Sequence, residues 1–161
     1  MKRNGKPDAT MARNGVTAQK LKHLELLLIE PWPIRVGAAQ GLPVATPMNI
    51  LVTNPASFIV QKLLIQKYRS VDKQAQDVLY IHDTIELFGP SLPTLKALWD
   101  TTIQPTLPTK VARHVTMLAT ETFSDVTDII RSAARIPQDR TLSPERVRAT
   151  CQLALSVMFQ S

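Results

Sequence analysis

Lys62 and Arg69 stand seven residues apart in "NPASFIVQKLLIQKYRS", and Asp77 follows in "VDKQAQDVLY". On one continuous helix, positions seven apart differ by only ~20°. Both cations then share a stripe with Phe58 and Ile65, while Ile59, Val60, Leu63 and Leu64 cover most of the remaining circumference. A helix that is apolar on all sides belongs inside a protein, where unpaired charge is expensive. Two arrangements meet that demand. The aliphatic stems can cover core while the charged heads reach water or nearby acids. Alternatively, the cations can line a pocket that faces a polyanion such as a nucleotide triphosphate. Asp77 is compatible with either, as a surface partner of Lys73 four residues before it or as the anionic member of a site. Periodicity alone leaves both open.

The elements around these residues are legible from start and stop signals. Asn54 is a good N-cap and Pro55 a good first helical residue for the stretch carrying Lys62. Asp72 opens "KQAQDVLYIHDTIELF", closed by Gly89-Pro90, and Ser91 opens "LPTLKALWDTTIQ". Pro108, Ser124 and Ser143-Pro144-Glu145 begin three further helical patterns, each with apolar residues three or four apart. Ahead of Asn54, "TAQKLKHLELLLIE" spaces Leu21, Leu24 and Leu28 as a helix that Pro31 and Pro33 end. Ile34 and Val36 in "IRV", and the run "MNILVT", read as two strands joined by the turn-forming "GAAQGLP". Pro43 and Pro47 suit the edge of a sheet rather than its centre. The expected class is therefore α+β, mainly α. A short β-hairpin or sheet edge with an N-terminal helix is followed by about five helices, over residues 54–161.

The chain has 161 residues and a net charge of +6, with 44% hydrophobic and 20% charged residues, an ordinary soluble composition. The charge is unevenly placed. Lys2, Arg3, Lys6, Arg13, Lys20 and Lys22 are opposed only by Asp8, so +5 of the total precedes residue 23. Residues 1–15 read as a disordered basic arm, solvated or able to touch nucleic acid through phosphate contacts. No apolar run follows the arm, and no apolar segment approaches the ~20 residues of a membrane helix, so neither secretion nor a membrane partner is expected. Cys151 is the single cysteine, which excludes an intrachain disulfide and suits a cytoplasmic location. His23, His82 and His114 lack metal-ligand spacing. Ser57, Ser91, Ser124 and Ser143 stand at or near helix starts, where capping explains them.

Two segments, "GVTAQKLKHLELLLIEPWPIRV" and "ILVTNPASFIVQKLLIQKYRSVDKQAQDVLYI", together resemble the second, carboxy-terminal half of the minimal bacterial nucleotidyltransferases. These belong to the DNA polymerase beta-like superfamily and include the toxins of abortive-infection systems. The likeness covers roughly residues 15 to 90. It rests on Gln61-Lys62-Leu63 in a Pro-led helix after a strand, on Arg69, and on Lys73-x-x-x-Asp77 opening the next helix. The resemblance implies transfer of a nucleoside monophosphate from an NTP to an acceptor, with Mg²⁺ as cofactor. It implies Lys62 and Arg69 on the triphosphate, Lys73 beside them, and Asp77 orienting the lysine or the acceptor. Such chemistry needs cations because charge spreads over phosphoryl oxygens in the transition state.

One departure from the family pattern is large. Those enzymes hold two Mg²⁺ ions on an Asp-x-Asp/Glu strand that follows a Gly-Ser or Gly-Gly turn. This sequence contains no Gly-Ser, Gly-Gly or Asp-x-Asp step, and before residue 54 its only acids are Asp8, Glu25 and Glu30. Asp83/Glu86 and Asp125/Asp128 read as helix-surface carboxylates, so no metal ligand is assigned. Residues 16–53 then read as a remnant of the nucleotidyltransferase core. The metal-binding half is expected upstream of Met1 or on a separately encoded partner, with the chain inactive alone and able to form a homodimer through its incomplete sheet. The rival expectation is a non-catalytic helical module that binds protein or nucleic acid through its basic arm.

Overall fold

A computed structural model describes the backbone of residues 10–13 and 16–19, and residues 22–41 and 43–160 in full. The architecture is α+β and mainly helical, as expected. Most of the arm, residues 1–9, lies outside the described residues.

Two strands, β1 (Thr10–Arg13) and β2 (Val16–Gln19), pair antiparallel with Arg13 opposite Val16. The helix expected from Thr17 does not form. Val16 to Gln19 are extended, and only one 3-10 turn follows, at Leu24–Leu28. The reason is local. His23 and Glu30 have φ of 56° and 39°, a left-handed conformation that a continuous right-handed helix cannot contain. The short turn buries Leu26 and leaves Leu24 and Leu28 exposed, against the expected stripe, whose Leu21 lies outside the described residues.

The expected hairpin is present. Strand β3 (Trp32–Val36) pairs antiparallel with β4 (Met48–Val52), in a register that sets Trp32 opposite Val52 and Val36 opposite Met48. Each described sheet has two strands. Ile34, Met48, Ile50 and Leu51 of the hairpin are exposed. Its attachment to the helices runs through Trp32, whose ring meets Phe88 edge-on at 5.8 Å.

Asn54 joins the β and α parts. Its Oδ1 accepts the Ser57 amide at 2.8 Å, which caps α1 (Pro55–Ile65), while its Nδ2 donates to the Ile29 carbonyl at 2.7 Å. One buried side chain thus satisfies an orphan helix donor and ties the helix start to the preceding turn. Asn54→Ala is expected to lower stability by about 1–2 kcal/mol, read from the urea midpoint at unchanged slope.

After α1 and a 3-10 turn at Gln66–Tyr68 come α2 (Val71–Phe88) and α3 (Leu92–Leu98). A π-turn at Trp99–Ile103 links α3 to the short α4 (Gln104–Thr106). Pro105 lacks the amide that an α-helix would pair with Thr101, and its ring would crowd that carbonyl. A widened turn immediately before it relieves both problems. Then follow α5 (Thr109–Thr122), α6 (Asp128–Ala134) and α7 (Pro144–Phe159). The cap of α7 is Ser143, as the sequence indicates, but α6 begins three residues later than Ser124 suggests. Thr127 caps it through the Ile130 amide, while Ser124 Oγ donates back to the Glu121 carbonyl and closes α5.

The core is continuous from Leu26 to Phe159. Trp99 and Phe123 are its largest fully enclosed aromatic side chains, and Trp99 stacks edge-on against Phe159 at 4.8 Å. Helix α1 packs against α2, α3 and α5, which makes it a central rod.

Candidate functional site: a buried carboxylate between two cations

The structure brings three of the four sequence-selected residues together. Lys62 Nζ lies 3.0 Å from Asp77 Oδ1, and Arg69 Nε lies 2.9 Å from Asp77 Oδ2. The Asp77 side chain is 0% exposed, Lys62 is 12% exposed and Arg69 is 32% exposed. Asp77 therefore bridges both cations from the second turn of α2.

The geometry differs from a single helical stripe in one respect. Helix α1 ends at Ile65, and Arg69 is extended (φ −104°, ψ 156°) after the 3-10 turn. Arg69 reaches Asp77 from the α1–α2 link, not from the α1 surface. The ~20° offset expected on a continuous helix consequently does not describe it, although the outcome, two cations converging, is the same. The link is held by Gln74, whose Nε2 donates to the Arg69 carbonyl at 2.9 Å. Lys73 stays apart. It is exposed and donates to Gln76 Oε1 at 2.9 Å, on the first turns of α2.

Both contacts to Asp77 are at ion-pair distance, yet neither is aligned as a hydrogen bond. Both carboxylate oxygens and Arg69 Nε are buried without an aligned partner. Coulomb attraction at 3 Å does not need linear geometry, so the triad holds by charge rather than by directed bonds. Two positive groups share one negative group, which leaves one positive charge uncompensated. The Lys62 ammonium also sits 5.1 Å from the Phe58 ring centroid and 5.3 Å from that of Tyr80. These two faces stabilise the cation and confine its position.

A second charged network, which the sequence did not reveal, lies around Asp83 and Glu86. Arg140 grips both oxygens of Asp83 at 2.6 Å, and Arg146 lies 3.5 Å from Glu86. Hydrogen bonding and the charge of Asp83 raise the Arg140 pKa above its usual value. His82, 2% exposed, places Nδ1 3.1 Å from Asp83. This cluster ties α2 to the loop before α7. Its long-range partner, Arg140, carried no periodic signal that would have identified it. Cys151 is fully buried, and burial pushes its thiol pKa up, which suits a packing role rather than a nucleophile.

Among the described residues no three His, Cys, Asp or Glu side chains gather as metal ligands. Several carboxylates are already engaged by cations. Asp77 is enclosed by two cations, Asp83 and Glu86 are engaged by arginines, and Asp128 is 2.8 Å from Arg131. A magnesium ion needs free carboxylate oxygens beside several waters.

The fully buried Asp77, bridging a helix lysine and a link arginine, occupies the positions where the sequence resembles a nucleotidyltransferase. A family model described as nucleotidyltransferase matches residues 1–104. The chain belongs to that family, whose substrates are NTPs. No curated protein and no solved structure gives a significant match. No helix among the described residues is long and apolar enough to cross a membrane.

Proposed function

We propose that this chain supplies the triphosphate side of a nucleotidyltransferase, with Lys62 and Arg69 as the NTP-binding cations. The observation that carries the reading is the sharing of one fully buried carboxylate, Asp77, by both cations. Here a net positive charge stays at a position where Arg69 is partly open to solvent. Arg69 meets Asp77 through Nε, so its terminal amino groups are the ones available to an anion.

Asp77 is in this reading a positioning residue. Complete burial keeps it from an acceptor, so its role is to fix Lys62 and Arg69 before the triphosphate arrives, which lowers the ordering cost of binding. Lys73 is peripheral, contributing long-range attraction from an exposed site. Metal-binding carboxylates would come from outside the described residues, on a separately encoded partner. The chain by itself is then inactive in nucleotidyl transfer, in a DNA polymerase beta-like reaction taking place in the cytoplasm.

Titration calorimetry with ATP, GTP, CTP and UTP tests this. Lys62→Ala is expected to weaken affinity for the preferred NTP about tenfold or more, the loss of one charge-assisted contact of ~1.5–3 kcal/mol. Lys62→Arg should recover part of it. An NTP affinity indifferent to Lys62→Ala removes the assignment.

A further inference from the structure

The opposite side of α1 carries a second, unassigned feature. A cavity of about 540 Å³ lies between the end of α1, the link after it and the first turns of α5. Its walls combine Leu64, Val111 and Met117 with Lys67, Lys110 and Arg113. Leu64 is two residues from Lys62, hence ~200° around the helix from it. The cavity therefore does not share the Lys62 face.

Its electrostatics are one-sided. None of the residues lining it is acidic. Lys62, Arg69, Lys96, Arg131, Arg140 and Arg146 each meet a carboxylate, whereas Lys67, Lys110 and Arg113 form no ion pair among the described residues. A further cation is fixed at the rim, where Lys22 Nζ sits 3.3 Å from the centroid of the Tyr68 ring. The carboxylate at this rim is Glu25, 3.7 Å from His23 Nδ1, and its side chain is 73% exposed.

Two details mark the cluster as costly without a ligand. Lys110 and Arg113 lie in the first turns of α5, which has no acidic residue in its first turn. Cations are unfavourable at that end of a helix dipole, and like charges three apart repel. In addition, His114 Nε2 in the cavity wall is buried with no hydrogen-bond partner, a state that native proteins rarely leave unanswered. An anion would relieve the first. Leu64, Val111 and Met117 add an apolar wall, and the volume is of small-molecule size.

We propose that this cavity is a second anion site that binds a phosphorylated nucleoside, with the phosphates on Lys67, Lys110 and Arg113 and the base against Leu64, Val111 and Met117. The cavity stands independently of Lys62; choosing a nucleotide as the anion rests on the family reaction. The ligand is either a free nucleotide or the terminal residue of a single strand.

The test uses the full chain, magnesium-free ATP and AMP by calorimetry, and a 5′-labelled single-stranded RNA 12-mer by fluorescence anisotropy. Each is measured on the wild type, Lys62→Ala, Lys110→Ala/Arg113→Ala, and the triple variant that combines them. The double variant is expected to lose at least tenfold in affinity for one or both probes, a loss that persists in a Lys62→Ala background. Its melting temperature without ligand should equal or exceed the wild-type value, because the removed charges oppose the helix dipole. Loss for the mononucleotides alone identifies a free nucleotide, and loss confined to the 12-mer identifies a strand end. Unchanged affinity in the double variant, absence of binding by either probe, or binding abolished by Lys62→Ala alone overturns the proposal. Failure of the Lys62 assignment with loss in the double variant leaves this site standing.

Discussion

Asp77→Ala is expected to destabilise the protein by about 3–5 kcal/mol, the cost of stranding charges that a buried partner had compensated. Lys62 is 12% exposed and Arg69 32% exposed, so neither cation can fully rehydrate without moving. Against a total stability of about 5–15 kcal/mol for a protein of this kind, such a loss decides whether the chain folds at 37 °C. Equilibrium urea denaturation at 15 °C measures it. Removing all three charges should cost less than removing one. In Lys62→Met/Arg69→Met/Asp77→Leu no desolvated charge is left behind, and apolar packing can equal or exceed a buried ion pair. A triple variant at least 2 kcal/mol more stable than Asp77→Ala, with nucleotide affinity lost, would show that the charges serve binding rather than folding. A single variant as stable as the wild type would show instead that Asp77 carries no structural charge compensation.

The second large effect concerns Trp99. Trp99→Ala is expected to lose about 3–5 kcal/mol through lost apolar transfer and the cavity left behind. The ring is 2% exposed and meets Phe159 edge-on at 4.8 Å, so part of the loss is a specific aromatic contact. Phe159→Leu, which keeps most of the volume, should lose much less. Thermal melts followed by circular dichroism separate the two. Because Trp99 lies inside the matched segment and Phe159 far beyond it, this contact also shows that α7 completes the core on which the family segment depends.

Legibility followed the range of the interactions. Asn54, Pro55 and Ser143 announced their helices because capping is decided within four residues. The hairpin was readable from Ile34, Val36 and "MNILVT", since period-two patterning is also local. The stretch after Thr17 misled because its leucine spacing fits a helix, while the backbone at His23 and Glu30, set by the packing of Leu26 and the Asn54 clamp, does not. Lys62, Arg69 and Asp77 do converge, yet helical periodicity mistook Arg69 for a residue of α1. Arg140 on Asp83 could not be found at all. It joins residues 57 positions apart, and loop arginines have no period to betray them.

The β3–β4 hairpin is joined to the helices by little more than the Trp32–Phe88 contact and the Asn54 bonds to the preceding turn. Its amides should therefore exchange with deuterium well before those of α1, through excursions that leave the helical body intact. Opening of the hairpin and opening of the helical body should then be two separate events within one chain.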